Sequence, residues 1–348
     1  DYTDSSCPAL LLEPLRTNLI TQSEYVNAMS LNSVSATANA TTSPEGVVNA
    51  YEVEPTGTGF KTIGNFISVT ANLTYTISFF YKNNDHKNIG FYDNNTSGSE
   101  IQINVQENTF TLGANVINGD IEDYGNGWYR AYATFAASSG TIANYLIFRN
   151  DVNNGSYTAT GSSIYVYGFQ VEAGSYPTSY IPTYGSSVSR VDDTCNTLNV
   201  EELIGQTEGT IFYQGLVEKA TGNDGHAIAF TQDGDGNGSS RFLLYRSNST
   251  GNMKVYFQNS SGVAFGQATL PIPTSSNDKY AIAYSVNDLA IYVNGVLEHT
   301  QSVGVIPTTK FVNINRWTGN IKHKNECRNV LLFKTRLSNE ELAALTTI

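Results

Sequence analysis

The sequence predicts an all-β protein built from two antiparallel β-sandwiches of jelly-roll type in tandem. Three observations predict it. Short apolar and aromatic runs recur along the whole chain, separated by Asn-Gly and related turn dipeptides. The composition suits pleated strands: 22 Tyr, 16 Phe and 30 Gly, with only 14% charged residues, against roughly 25% in an average globular protein. Asn, Ser, Thr and Gly must then supply the polar surface. Finally, a single short stretch reads as helix. At 348 residues the chain has room for two domains, each with its own core.

In the first half, Asn72–Tyr81 alternates in part, with Leu73, Tyr75, Ile77 and Phe79 on one face. Ile101–Val105 and Phe110–Leu112 follow. Gly127–Phe135 places Trp128, Arg130, Tyr132 and Thr134 on one face and Tyr129, Ala131, Ala133 and Phe135 on the other. Tyr145–Arg149 and Ile164–Val171 complete the set. Asn118-Gly119, Asn126-Gly127 and Asn154-Gly155 read as turns. Over residues 174–207, Gly174, Pro177, Pro182, Gly185 and many Ser and Thr predict a strap and then a linker. The boundary is expected near 190–205, giving domains 1–195 and 196–348.

In the second half, Thr210–Val217, His226–Thr231, Arg241–Arg246, Met253–Gln258, Lys279–Ser285 and Leu289–Val293 read as strands. Asn294-Gly295 is a two-residue hairpin turn, and Asn329–Phe333 a last strand. Ser338–Leu345 is the helix, with Ser338 as N-cap and Glu341 three residues on completing a capping box.

The net charge is −12. That argues against nucleic acid, whose phosphates need Lys and Arg, and against docking on anionic membranes. It fits a neutral ligand and leaves room for a local basic patch toward an anionic glycan. No apolar run approaches the roughly 18 residues of a membrane helix. The chain opens at Asp1 with no visible signal peptide, as expected of a mature or excised segment. Sequons at Asn39, Asn72, Asn154 and Asn248 are expected by chance in so Asn-, Ser- and Thr-rich a chain. Cys7, Cys195 and Cys327 form no C-x-x-C pair. A Cys7–Cys195 bridge closing the first domain and three buried free thiols are both open readings.

Several motifs resemble known families. Leu10–Asn18 (LLLEPLRTN), Thr42-Ser43-Pro44 with Gly46, Ile121–Arg130 (IEDYGNGWYR) and Val166–Val191 (VYGFQVEAGSYPTSYIPTYGSSVSRV) match, in order, a module widespread in tailed-phage structural proteins and marine bacterial surface proteins. The match covers most of residues 7–195. Glu208-Gly209-Thr210, Lys279–Gly295 and Leu331–Leu345 resemble a laminin G-like or concanavalin A-like domain, so the second sandwich is expected to be concanavalin A-like. The pairing is similar to that in phage tail fibres, receptor-binding proteins and head spikes. It implies non-catalytic recognition of a polysaccharide or cell-surface glycan, outside the cell or on a virion. A homotrimer is expected at family level, although no heptad stalk is present to impose it.

Candidate site residues follow from chemistry. Sugars lie their C–H faces on aromatic rings and bond to planar polar side chains. Trp317 beside Arg316 in a polar loop, Tyr245, Arg246 and Tyr256 on neighbouring strands, and Tyr81, His86 and Tyr92 in the first domain are the glycan-binding candidates. Trp128, within a strand, reads as core. Asp233, Asp235 and Asn237 in DGDGNG begin a calcium-type oxygen cage, although position twelve is Leu244 and excludes an EF-hand. The competing reading is a Gly-rich hairpin tip. Arg16 and Arg190 are expected to bond Glu13 and Glu172, pinning the module's opening to its strap.

Enzyme signatures are absent. There is no G-x-S-x-G, and His86, His226, His299 and His323 show no H-E-x-x-H spacing. The polysaccharide-lyase Q-I/V-H pattern is missing. Paired carboxylates for glycoside hydrolysis need distances to test. A depolymerase, either a lyase or a glycoside hydrolase acting on a marine glycan, and a purely structural virion component are the alternative readings.

Overall fold

The computed structural model describes residues 9–197, 199–219, 224–232, 240–259, 264–314 and 323–348, with backbone only at Ala264 and Phe265. Two compact units are present, both all-β. Residues 16–190 form one; residues 1–15 and 191–348 form the other. The expected division at 195/196 therefore shifts in two ways. Strand Cys195–Thr197 pairs with Phe311–Ile314 in the second unit. Strand Leu10–Leu12, first in sequence, pairs with Asn325–Phe333 of that same unit, Leu10 opposite Cys327.

The first unit is a sandwich of two six-stranded antiparallel sheets. One runs in the order Asn118–Gly125, Trp128–Ala136, Thr74–Asn83, Ile164–Ala173, Val48–Pro55, Val34–Thr42. The other runs Thr109–Leu112, Ile101–Asn104, Asn88–Asp93, Thr141–Arg149, Thr62–Ser68, Ser30–Asn32. Between them lies a core that includes Tyr75, Ile77, Phe79, Phe91, Phe135 and Phe169, each such side chain contributing about 1.5–3 kcal/mol by leaving water.

The central strands of the first sheet are buried on both faces. In Thr74–Asn83 the outward residues Thr76, Ser78 and Phe80 are as hidden as the core residues Ile77 and Phe79. The cause is the strap after Gly174, which lies on this outer face. Asn18 donates to the Phe169 and Ile181 carbonyls (3.1 and 2.9 Å) and accepts from the Ile20 and Val171 amides (3.1 and 3.2 Å). Glu172, fully buried, accepts from Gln170 Nε2 (2.9 Å), Thr178 N (2.8 Å) and Thr178 Oγ1 (2.7 Å), with Arg16 Nε at 3.7 Å. Arg130 donates to the Thr178 carbonyl (2.7 Å) and Ser78 Oγ (3.0 Å). The expected Arg16–Glu172 pin is present. Arg190 stands opposite Arg16 in a short ladder, and Glu13 meets Asp193 through its own backbone, its N–H donating to Asp193 Oδ2 (3.0 Å) and its carbonyl accepting from Asp193 N (3.0 Å). Trp128 is buried on this same face and donates Nε1–H to the Thr42 carbonyl (2.9 Å), as expected of a structural Trp.

The second unit repeats the plan. Leu10–Leu12, Asn325–Phe333, Glu208–Val217, Lys279–Ser285, Asp288–Val293 and Val296–Gln301 form one six-stranded sheet. Cys195–Thr197, Phe311–Ile314, Gly225–Thr231, Arg241–Arg246, Met253–Gln258 and Ala264–Thr269 form the other. Two facing six-stranded antiparallel sheets agree with the concanavalin A-like expectation. Helix Asn339–Thr346 covers the outer face of the former sheet through Leu342, against Phe212, Ala281, Ala283 and Tyr292. Its capping box is formed as read: Ser338 Oγ accepts from Glu341 N, and Glu341 accepts from Ser338 N.

Asn126-Gly127 and Asn294-Gly295 are turns with both residues at positive φ (53° and 79°; 50° and 84°). Asn118-Gly119 is not a turn. Asn118 pairs with Thr134 and Gly119 with Ala133 inside a ladder. A side chain at Gly119 would meet Leu112 Cδ2 at 2.8 Å, so this glycine serves close packing.

Candidate functional site

In the first sandwich the strap covers one sheet, and the other sheet keeps an outer face for contact. Alternation fixes what stands there. Ile89 and Phe91 point into the core, so Asn88, Gly90 and Tyr92 point out. Register brings Tyr145 opposite both Tyr92 and Gly64, and Ala143 opposite Phe66. Phe66 is 66% exposed. Its ring meets that of Tyr145 at 6.0 Å, edge to face, and Tyr145 meets Tyr92 at 6.1 Å. A row of three aromatic rings thus crosses three neighbouring strands.

Two strand glycines shape this row. A Cβ at Gly64 would lie 2.3 Å from Tyr145 Cε1, so the ring rests on bare backbone. A Cβ at Gly90 would lie 1.9 Å from Glu100 Oε1, so the carboxylate rests on the next strand likewise. Glu100 continues the row as a polar network. Arg149 Nη2 donates to Glu100 Oε1 (2.6 Å), and Gln102 Nε2 to Glu100 Oε2 (3.0 Å). Asn153 Nδ2 donates to Gln102 Oε1 (2.7 Å), and Arg149 Nη1 to the Asn153 carbonyl (3.2 Å). Burial first, and Glu100 second, raise the Tyr92 phenol, so its hydroxyl stays a donor at neutral pH.

At the strand ends the face runs into a groove of about 700 Å³ lined by Asp85, His86, Lys87, Arg149, Asp151 and Tyr157. A shallower recess of about 470 Å³ adjoins it through Lys87 and Asp151 and adds Gln102 and Asn104. His, Tyr and Arg together are the residue types of a lyase centre; here His86 and Arg149 are committed, while the Tyr157 hydroxyl has no hydrogen-bond partner. His86 is buried; its Nε2 donates to the Asn88 carbonyl (3.1 Å), which leaves Nδ1 to accept from Ser162 Oγ (2.7 Å). Burial holds its pKa below the ordinary value. Burial also pushes the Tyr157 phenol up to about 12, and its ring packs on Lys61 Nζ at 4.3 Å. Arg149 is held by Glu100.

The sequence candidates divide accordingly. Tyr92 stands in the aromatic row and His86 in the groove wall. Tyr81 does not belong to the face. It is fully buried, with its ring 6.0 Å from Phe79 and its hydroxyl on Asn108 Oδ1 (3.3 Å), because its position in Thr74–Asn83 points between the sheets. Phe66, Tyr145, Glu100, Gln102 and Arg149 were not among the candidates. The available signal was a lone glycine inside each of two apolar strands.

In the second sandwich Tyr245 and Tyr256 share the outer face of the sheet opposite the helix-covered one, each half-exposed. Arg246 does not join them. One residue along, it points to the other side and is fixed by the carbonyls of Val217 (2.8 Å) and Gly251 (3.0 Å). Arg316, Trp317, Asp233, Asp235, Asn237 and Cys7 lie outside the described residues. Cys195 and Cys327 are free thiols, and burial pushes the Cys327 thiol up to about 12. Among the described residues no group of His, Cys, Asp and Glu is arranged to hold a metal ion, and no helix is long and apolar enough to cross a membrane.

No protein-family model matches the chain, and no curated protein matches it. Solved structures give distant likenesses. The chain is similar to the CBM40 of a Ruminococcus gnavus IT-sialidase bound to α2,3-sialyllactose, at 16% identity and TM-score 0.34 over 41% of this chain and 84% of that one. It is similar to the receptor-binding domain of a botulinum neurotoxin C/D mosaic serotype, at 15% identity and TM-score 0.34 over 44% and 40%. A heptameric SAP-like pentraxin from Limulus polyphemus follows, at 17% identity and TM-score 0.32 over 42% and 72%. Likenesses of this size say nothing of what this chain binds. The antiparallel sandwich architecture stands on the chain's own strand pairing.

Proposed function

We propose that the protein binds carbohydrate without cleaving it, holding a sugar chain on the outer face of the first sandwich's uncovered sheet. The observation that carries this reading is the continuity of that face. Three aromatic rings crossing three strands meet an amide and carboxylate network already locked by its own hydrogen bonds. Rings take the C–H faces of pyranoses, and Gln102, Glu100, Asn153 and the Tyr92 hydroxyl offer donors and acceptors to sugar hydroxyls. Because the network is preorganised, little side-chain entropy is lost on binding. The commitments of His86 and Arg149, and the raised Tyr157 phenol, speak against catalysis in the adjoining groove. The resemblance of Leu10–Asn18 and Val166–Val191 to phage-fibre and surface-protein modules supports a setting outside the cell, on a virion or bacterial surface.

Retention on a polysaccharide array tests this directly. The intact chain should be retained on at least one glycan, and Tyr145→Ala should weaken that binding at least tenfold, about 1.4 kcal/mol. Retention unchanged in Tyr145→Ala would move the site elsewhere. Loss on adding a calcium chelator, with Tyr145→Ala neutral, would assign the role to the Asp233–Asn237 stretch.

A further inference from the structure

We propose that the groove at the strand ends holds an uncharged pyranose unit of the bound glycan, with Asp151 accepting hydrogen bonds from its hydroxyls and Lys87 donating one. This rests on the reading that the first sandwich binds sugar, and it names the glycan class: a neutral polysaccharide.

The groove continues the aromatic face. Gln102 and Asn153, which belong to the Glu100 network, also line the recess, and Lys87 and Asp151 line both the recess and the groove. A chain lying on the rings is thus led past Gln102 to Lys87 and Asp151. At about 700 Å³ the groove falls within the roughly 300–1,000 Å³ of small-molecule sites. The backbone sets both side chains in place. Asn150 Oδ1 accepts from Val152 N (3.2 Å) and Asn154 N (2.8 Å), and Asn150 N donates to the Asn154 carbonyl (2.9 Å), closing a tight loop around Asp151. The Lys87 carbonyl accepts from Val105 N (2.8 Å), and Asn88 Nδ2 donates to the Asn150 carbonyl (3.0 Å), tying the two segments together.

Lys87 is half-exposed and Asp151 exposed. Among the described residues, neither the Lys87 ammonium nor the Asp151 carboxylate has a hydrogen bond or an ion pair. Opposite charges fixed in one groove and left unpaired suit a ligand with donors and acceptors on neighbouring atoms. Charge then decides the class. Arg149 is neutralised by Glu100 (2.6 Å), and burial keeps His86 neutral at pH 7. What remains is the Lys87 ammonium against the Asp85 and Asp151 carboxylates, and Asp85 already accepts from Ser163 N (2.6 Å). The carboxylate or sulfate of an acidic sugar would be repelled by this excess of negative charge, and the ammonium of an amino sugar by Lys87. Vicinal hydroxyls of a neutral ring donate to Asp151 and accept from Lys87 at once, both charge-assisted bonds.

Calorimetric titration of the intact chain with a neutral glucan, a neutral mannan, a polyuronate, a sulfated galactan and chitosan tests this. The wild type should bind a neutral polysaccharide with an affinity that added salt leaves unchanged. Asp151→Ala and Lys87→Met should each weaken it about tenfold without moving Tm, since neither side chain is bonded in the free protein. Asp151→Lys should lose the neutral glycan and gain the polyuronate, a change of preference that a merely structural role would not give. A wild type that prefers the polyuronate, the sulfated galactan or chitosan overturns the inference, and so does unchanged affinity in either Asp151→Ala or Lys87→Met. If Tyr145→Ala weakens binding and these two variants do not, the aromatic face stands and the groove falls. If they weaken it and Tyr145→Ala does not, the groove stands and the aromatic face falls. Binding to none of the glycans defeats both.

Discussion

Glu172 shows how much of the first sandwich hangs on single residues. Its carboxylate is fully buried and satisfied by three hydrogen bonds and the Arg16 guanidinium. Truncating one partner of such a set leaves other buried groups unpaired, at about 3–5 kcal/mol. Glu172→Ala is therefore expected to lower the unfolding free energy by about 3 kcal/mol in urea titrations, and to loosen the strap by hydrogen exchange. This clasp was legible because Arg16, Glu172 and the Pro-rich strap sit in quoted motifs. The aromatic row was half legible. Tyr92 was singled out, but Tyr81 was wrongly grouped with it, because sequence shows alternation and not which side of a two-faced strand stays open. Phe66 and Tyr145 were missed for the same reason. Gly64 offers a sharp check: Gly64→Ala should displace the Tyr145 ring and reduce sugar affinity about as much as Tyr145→Ala, some tenfold, with folding retained in circular dichroism. Unchanged affinity would show that the ring's seat is irrelevant.

At the scale of elements, punctuation proved easier to read than strands. Asn126-Gly127 and Asn294-Gly295 turn because both residues take positive φ, and the capped helix lies where Ser338 and Glu341 put it. Strand Val34–Thr42 escaped notice, since as a largely exposed edge it carries small polar residues rather than an apolar alternation. Gly119 misled because it fits beneath Leu112 inside a ladder. The strands of the second sandwich also carry a pH response. Gly225–Thr231 and the segment before Asn325–Phe333 bring His226 and His323 within 6.4 Å, ring to ring. Burial lowers them from the ordinary 6.5 to about 3 and about 4, with the charges of His323 and Arg241 adding to the effect on His226. Folding thus favours the neutral imidazoles. Their contribution is complete above about pH 6.5 and is lost progressively as pH falls toward 4 and then 3. Tm should fall across that window, and His323→Gln should flatten the slope. A Tm independent of pH between 6.5 and 4 would refute the neutral pair.

For the whole molecule, the chain's path joins its ends in one unit. Leu10–Leu12 completes a sheet otherwise built from residues 208–333. Removing residues 1–15 should therefore destabilise the second sandwich and spare the first, seen as faster hydrogen exchange in Asn325–Phe333 and none added in Thr74–Asn83. In each sandwich one sheet is covered, by the strap or by the helix, and in the first the other sheet keeps an exposed aromatic ring, Phe66, on its outer face. The most direct test of recognition on such a face is calorimetric titration of the intact chain with a retained polysaccharide, comparing wild type with Phe66→Ala/Tyr145→Ala. Binding at least tenfold weaker in the variant, with an unaltered melt and no new reducing or unsaturated ends in either sample, is the predicted result. Equal affinity in both proteins, or release of cleaved product by the wild type, would contradict it.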